Sequence, residues 1–205
     1  MAASPPSGVW AVASELAGSE LLDWMTGVSG AAAWTFRRPP AGDGQALIDL
    51  ASMREAAPWL AVHGRRDLAQ LSGADALIAG AQSIDWLALA SRCEQLSPQL
   101  QCGASVHSEQ EWQAATQTLP LSFVVQGPLF DTPSKRGILE PHGESGLRRM
   151  AVLGLPVIAI GGIEEPEQVQ RARRAGAHGV AVLRASQDAA RFAELCAAWA
   201  ELDLS

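Results

Sequence analysis

The sequence predicts an eight-stranded β/α barrel of the TIM type, an α/β fold built as a single domain over residues 1–205. Three observations lead there. Short apolar runs alternate with helical patterns along the whole chain, eight times over. The stretch Pro156-Val-Ile-Ala-Ile-Gly-Gly-Ile163, followed by Gly179-Val-Ala-Val-Leu-Arg184, reads as two buried parallel strands, each ending where a helix should start. A chain of 205 residues holds one sizeable core, at the short end for such a barrel.

The first strand is expected at residues 9–13, ending at Ser14, and the second at 32–36, ending at the pair Arg37-Arg38. Leu47, Leu50, Ala51 and Arg54 then recur at i, i+3, i+4 and i+7, the spacing of a helix that buries one stripe. The third strand, 59–63, ends on His63, and the fourth, 76–80, runs into the segment Gly80-Ala-Gln-Ser83. The fifth, 101–105, is followed by Ser108 and Glu111 at capping-box spacing. The sixth, 121–126, opens into the longest loop, residues 126–137. The seventh, 157–160, leads to a helix with Pro166 in its first turn and Gly176 at C′. The eighth, 179–183, precedes a helix with Phe192, Leu195, Cys196 and Trp199 on one stripe. Repeated alternation argues for parallel strands, and closure removes the edges that an open sheet must protect. An open doubly wound sheet is the alternative, and period alone separates the two weakly.

Composition excludes several function classes. Fifteen Lys and Arg stand against 22 Asp and Glu, for a net charge of −7, and basic residues occur in no run longer than a pair. A track for a nucleic-acid backbone is therefore not expected. Cys93, Cys102 and Cys196 are odd in number and widely spaced, which suits buried thiols in a reducing cytoplasm rather than a zinc or redox site. No signal-peptide pattern and no apolar run of membrane-spanning length is present, so a cytoplasmic protein is expected. The seven Trp residues suit packing better than base stacking.

In a barrel the residues at the C-terminal ends of the strands face the active site. Here they include Ser14, Arg37, His63, residues 80–83, residues 105–108, the sixth loop, Gly161-Gly162 and Arg184. The turns after strands seven and eight form the common phosphate site of such barrels, so Gly161, Gly162 and Arg184 are candidates for an anion. The sixth loop sets the hydroxyls of Thr132 and Ser134 beside Lys135, donors suited to phosphate or carboxylate. An imidazole at His107 could move a proton near neutral pH, and it also stands where a capping or packing histidine would. Arg37 is the member of its pair expected to point into the mouth, with a solvated pair as the alternative. His142, in a Pro-Gly loop, and His178, before a strand at the far end, are expected to be structural.

The chain resembles the superfamily of thiamine-phosphate synthases and TenI-type thiazole tautomerases. Five segments carry the resemblance: Gly73-Ala-Asp75, Ser105-Val-His-Ser108, Gly127-Pro-Leu-Phe-Asp-Thr-Pro-Ser-Lys135, Ala159-Ile-Gly-Gly-Ile163 and Ala175-Gly-Ala-His-Gly-Val-Ala-Val182. They run in the family's order over roughly residues 59 to 186, and the sixth-loop run is the most specific. The first fifty residues match poorly, with Arg37 as the counterpart of the family's strand-two arginine.

The resemblance implies a phosphorylated thiazole or thiamine-type small molecule as partner, and a homo-oligomer is compatible with it. The synthase joins an aminopyrimidine diphosphate to a thiazole phosphate with magnesium held by two aspartates. Here the corresponding segments read His63-Gly-Arg65 and Gly80-Ala-Gln-Ser83, so both aligned carboxylates are missing, at Gly64 and Ser83; Asp85 and Asp67 are the nearest substitutes. The tautomerase, which needs no metal, fits better and often carries His where His63 stands. On that expectation His107 and Lys135 are catalytic, His107 as acid/base. Gly161, Gly162, Leu183 and Arg184 bind phosphate, and Arg37, His63, Ser105, Thr132 and Ser134 contact substrate. No cofactor is then expected, magnesium entering only if the chain is a synthase. A barrel that binds a phosphorylated ligand without turnover is a further alternative. Arg184 departs from the family's usual Ser, and would either strengthen phosphate binding or fill part of the cup.

Overall fold

The computed structural model describes residues 4–37, 42–80 and 100–201. Arg38, residues 81–83, Asp85 and Cys93, which the sequence reading singled out, lie outside the described residues. Eight parallel strands close into one barrel in sequence order: β1 (Gly8–Ser14), β2 (Ala33–Arg37), β3 (Leu60–His63), β4 (Ala76–Gly80), β5 (Gln101–Val106), β6 (Phe123–Gln126), β7 (Val157–Ile160) and β8 (Gly179–Val182). Strand β1 pairs with β8, Gly8 beside Gly179, which closes the barrel and excludes the open-sheet alternative. The outer layer comprises α1 (Gly18–Gly27), α2 (Asp43–Ala56), α3 (Arg66–Leu71), α4 (Glu109–Thr118), α5 (Gly143–Ala151), α6 (Pro166–Arg174) and α7 (Ala189–Ala200). No helix among the described residues is long and apolar enough to cross a membrane.

The strands lie within two residues of their expected ends because each is buried on both faces and so reads as an unbroken apolar run. Alternate residues then divide between two cores. Trp10, Val12, Ala33, Ala61, Ala76, Ile78, Phe123, Val125, Ile158 and Ala181 fill the barrel interior. Its volume is shared unequally. Trp10 packs on Trp59 and Phe123 at centroid distances of 5.0 and 5.6 Å, and facing positions stay small. A Cβ on Gly103 would lie 2.3 Å from Cζ of Phe123. The opposite parity, including Val9, Ala11, Trp34, Leu77 and Val124, packs under the helices.

Local signals at the helix ends hold. Ser108 caps α4, accepting from the amide of Glu111 at 3.1 Å, while the Glu111 carboxylate reaches one residue further back, to the amide of His107 at 2.6 Å. Pro166 opens α6, and Gly176 follows its C-cap with φ of 97°, the left-handed geometry a Schellman-type end requires.

The stripe of α2 is displaced from its expected course. Ala46, Asp49, Leu50 and Met53 are buried and Ala51 is exposed, because Asp49 faces inward to accept from the amide of Gly18 at 3.1 Å and from Gln45 at 2.8 Å. A single polar tie between α1 and α2 thus rotates the helix off the stripe that hydrophobicity alone suggests. Cys102 is buried as expected; Cys196 is half-buried, and burial pushes its thiol up to about 11.

Candidate active site

The mouth is organised by the sixth loop. Beyond β6 the chain turns through a cis Gly127-Pro128 bond and lies down on the turn after β7, with the amide of Leu129 donating to the Ile160 carbonyl at 2.9 Å and that of Phe130 to Gly161 at 3.0 Å. The approach is closer than side chains allow. A Cβ on Gly127 would meet the Ile160 oxygen at 2.5 Å, and one on Gly162 would meet the Asp131 oxygen at 2.5 Å. Gly161 and Gly162 also have φ of 98° and 69°, so glycine there serves two needs, the left-handed turn and the seating of the sixth loop.

That seating gathers Thr132, Gly162 and Arg184 on one rim. Thr132 is buried; its hydroxyl lies 3.5 Å from that of Ser134 and accepts from Nη2 of Arg184 at 3.2 Å. Nε of Arg184 donates to Glu164 at 2.8 Å. An open cleft of about 520 Å3 is lined by Asp131, Gly162, Glu164, Glu165 and Arg184 among others. Its three carboxylates are each tied to an arginine: Asp131 to Arg136, Glu164 to Arg184, and Glu165 to Arg191 at 2.8 Å. The hydrogen bond from Arg136 holds the Asp131 carboxyl below its usual range. Leu183 follows β8 and leads into a short 3-10 turn, Ala185–Gln187, where the Ser186 hydroxyl donates to the Leu183 carbonyl at 2.7 Å.

His107 stands one residue past β5, half-buried, with Nδ1 hydrogen-bonded to the Gly127 carbonyl at the root of the sixth loop. A carbonyl oxygen only accepts, so Nδ1 carries a proton and Nε2 is the ring nitrogen left for proton transfer. Ser105 lies one turn of pleat below, half-buried. Lys135 is half-buried and its amide donates to the Thr132 carbonyl at 2.9 Å, whereas Ser134 is exposed.

Across the mouth, His63 ends β3 and Arg37 ends β2. The His63 ring is half-buried overall, but its Nε2 is sealed from solvent without a partner. Burial, helped by the positive charge of Arg37, lowers its pKa to about 3, so His63 is neutral at physiological pH. Arg37 shares the strand parity of Ala33, which lies in the barrel interior.

The neighbours of the site are less legible. His142, expected to be structural, is the N-cap of α5; its amide donates to the Pro128 carbonyl at 2.9 Å, and its Nε2 is buried without a partner. Burial lowers its pKa. Glu164, the partner of Arg184, carries no signal beyond following Gly-Gly-Ile. His178 does sit at the opposite end, Nε2 beside the Pro5 carbonyl at 2.7 Å.

Among the described residues no group of three His, Cys, Asp or Glu side chains is arranged to hold a metal ion. Gly64, at the aligned carboxylate position, has φ of 67° and no side chain, and the nearby Asp67 and Asp43 are both taken by Arg65 at 2.7 and 2.8 Å. Gly64 thus offers magnesium no carboxylate, while the second aligned segment, with Ser83 and Asp85, lies outside the described residues.

Comparison with known proteins identifies the family. Residues 42–186 match the family model described as thiamine monophosphate synthase. The chain belongs to that family. A thiamine-phosphate synthase of Vibrio campbellii is 30% identical over 150 residues, covering 70% of this chain and 71% of the relative. The thiamine biosynthesis bifunctional protein of Symbiobacterium thermophilum is 37% identical over 62% of this chain but only 25% of its own length. The first curated relatives are matched over a quarter to a half of their length, at 25%, 38% and 50%. In fold, the thiamine phosphate pyrophosphorylase of Pyrococcus furiosus superposes with a TM-score of 0.80 at 22% identity, covering 95% of this chain and 96% of that one. The family match begins at residue 42, in keeping with the poor resemblance of the first strands.

Proposed function

We propose that this chain works in thiamine synthesis by holding a thiazole phosphate in the barrel mouth. Its phosphate would sit at Gly161, Gly162, Leu183 and Arg184, and its ring beside His107, with Lys135, Arg37, His63, Ser105, Thr132 and Ser134 around it. The observation that carries this reading is the seating of the sixth loop on the seventh, which brings Thr132, Gly162 and Arg184 to one rim while Gly127 anchors His107. Backbone amides at such a turn bind phosphate without needing a fixed cation, and an imidazole with a fixed Nδ1 proton presents one basic nitrogen.

The names of the relatives favour synthesis of thiamine phosphate, which we take as the first reading. In it the thiazole phosphate displaces diphosphate from the aminopyrimidine, and the diphosphate leaves with the electrons of the broken carbon–oxygen bond. Gly64 favours a second reading, the proton shift of a thiazole tautomerase, because glycine stands where the family has one of the carboxylates for the magnesium that diphosphate departure uses. There Nε2 of His107 takes a proton from one ring position and returns it to another, with no net gain or loss.

The two readings separate in one assay. The protein is incubated with aminopyrimidine diphosphate and thiazole phosphate, with and without magnesium, and separately with the thiazole carboxylate phosphate tautomer. Thiamine phosphate as product supports the first reading; tautomer conversion without it supports the second; neither, at high protein loading, removes both.

A further inference from the structure

Of the three arginines that neutralise carboxylates around the cleft, Arg184 alone among the described residues also lines it. Its guanidinium spans from Glu164 to the buried hydroxyl of Thr132, with Nε 2.8 Å from Glu164 and Nη2 3.2 Å from Thr132. Glu164 is two residues past Gly162, so the carboxylate, the guanidinium and the turn expected to bind phosphate share one small volume. An incoming anion therefore meets a cation already in use. The pair is far from sealed, with side-chain exposures of 41% and 46%, so the contact is weak enough to exchange.

We infer that Glu164 competes with bound phosphate for Arg184 and thereby sets the affinity of the cup, Arg184 being the cation that a phosphate monoester recruits on entry. The inference rests on the phosphate site proposed above and adds the residue pair that tunes it. Recruitment costs the Glu164 contact but leaves Arg184 near Thr132, and the donors that Glu164 gives up are the ones that turn to phosphate. Glu164 also repels a doubly charged ligand directly. Both effects weaken binding and favour release of a phosphorylated product.

The test is calorimetric titration of methyl phosphate into the wild-type chain, Glu164→Gln and Arg184→Gln at low ionic strength, with thermal unfolding of each as a check on folding. Glu164→Gln should bind roughly three- to tenfold more tightly, a gain that shrinks in high salt, and Arg184→Gln more weakly than wild type. Equal constants for all three proteins overturn the inference and leave the phosphate site standing. Tighter binding by Arg184→Gln means that the guanidinium obstructs the cup, and also overturns it. No binding by any of the three removes the phosphate site and the inference together.

Discussion

Nδ1 of His107 and the carbonyl oxygen of Gly127 form a hydrogen bond that ties the half-buried histidine just past β5 to the root of the sixth loop. The same glycine admits no side chain, since its Cβ would strike the Ile160 oxygen. One residue thus fixes both the position of the loop and the tautomer of the imidazole. A general base needs its lone pair aimed at substrate, and a carbonyl partner on the opposite nitrogen supplies that orientation without charging the ring.

If His107 moves the proton, His107→Ala should lower the rate of the thiazole proton shift by about 10²–10⁴-fold, the usual contribution of a positioned acid/base group. Stability should change by only about 1 kcal/mol, the typical net worth of one hydrogen bond. Steady-state rates and denaturant midpoints measure the two. A wild-type rate in His107→Ala sinks the catalytic assignment.

Gly162→Ala should be costly for two reasons at once. Its φ of 69° disfavours an L side chain, and its Cβ would lie 2.5 Å from the Asp131 oxygen and 2.7 Å from backbone atoms of Phe130. A strained position of this kind costs on the order of 1–3 kcal/mol, which lowers the melting temperature by roughly 2–4 °C per kcal/mol in a chain of this size. Methyl phosphate binding should fall as the sixth loop lifts. Unchanged melting would mean that the loop is not seated on the turn.

The barrel was legible because parallel strands buried on both faces are continuous apolar runs, and punctuation such as Pro166 and Gly176 marks the helices between them. The positions of Arg37, His63 and Ser105 followed from strand ends and alternation. Glu164 and His142 did not, because loop folding rather than period brings them to the site. The Gly161-Gly162 pair reads as an anion cup from sequence alone; its second task, admitting Phe130 and Asp131, exists only once the sixth loop has folded back. Asp49 shows the same limit in a helix, where one polar tie overrides an apolar stripe.

His63 should make stability depend on pH in a definite direction. Burial lowers its pKa to about 3 from 6.5, so between those values the unfolded chain binds a proton that the folded ring refuses. Stability therefore falls as pH drops from about 6.5 toward 3, by at most about 1.4 kcal/mol per pH unit from this group. Carboxylates held low by arginine, such as Glu144 beside Arg171, fall in the same direction, so the comparison is between wild type and His63→Asn. Urea midpoints at pH 7.0 and 5.0 should differ more in wild type than in the variant; equal slopes would mean that His63 protonates in the folded state.

Asp75 offers the opposite case, a member of a family-like segment whose place in the fold is structural. It precedes β4 at the end of the barrel away from the mouth, where one carboxylate oxygen accepts from the Leu60 amide at 2.7 Å and from Arg54 at 2.5 Å. Through Arg54, which also donates to the Ala57 carbonyl at 3.2 Å, it pins the C-terminal end of α2 to the start of β3. Asp75→Ala leaves the Leu60 amide without its side-chain acceptor and Arg54 without its counter-ion. The pair is about a third exposed, so its charge is partly screened, and the larger loss is the amide contact. Together they should cost about 1–3 kcal/mol of stability. Methyl phosphate affinity, measured below the melting range, should stay at the wild-type value, because Asp75 precedes β4 at the end of the barrel opposite the rim. A fall in affinity without a fall in melting temperature would place Asp75 in the site rather than in the scaffold.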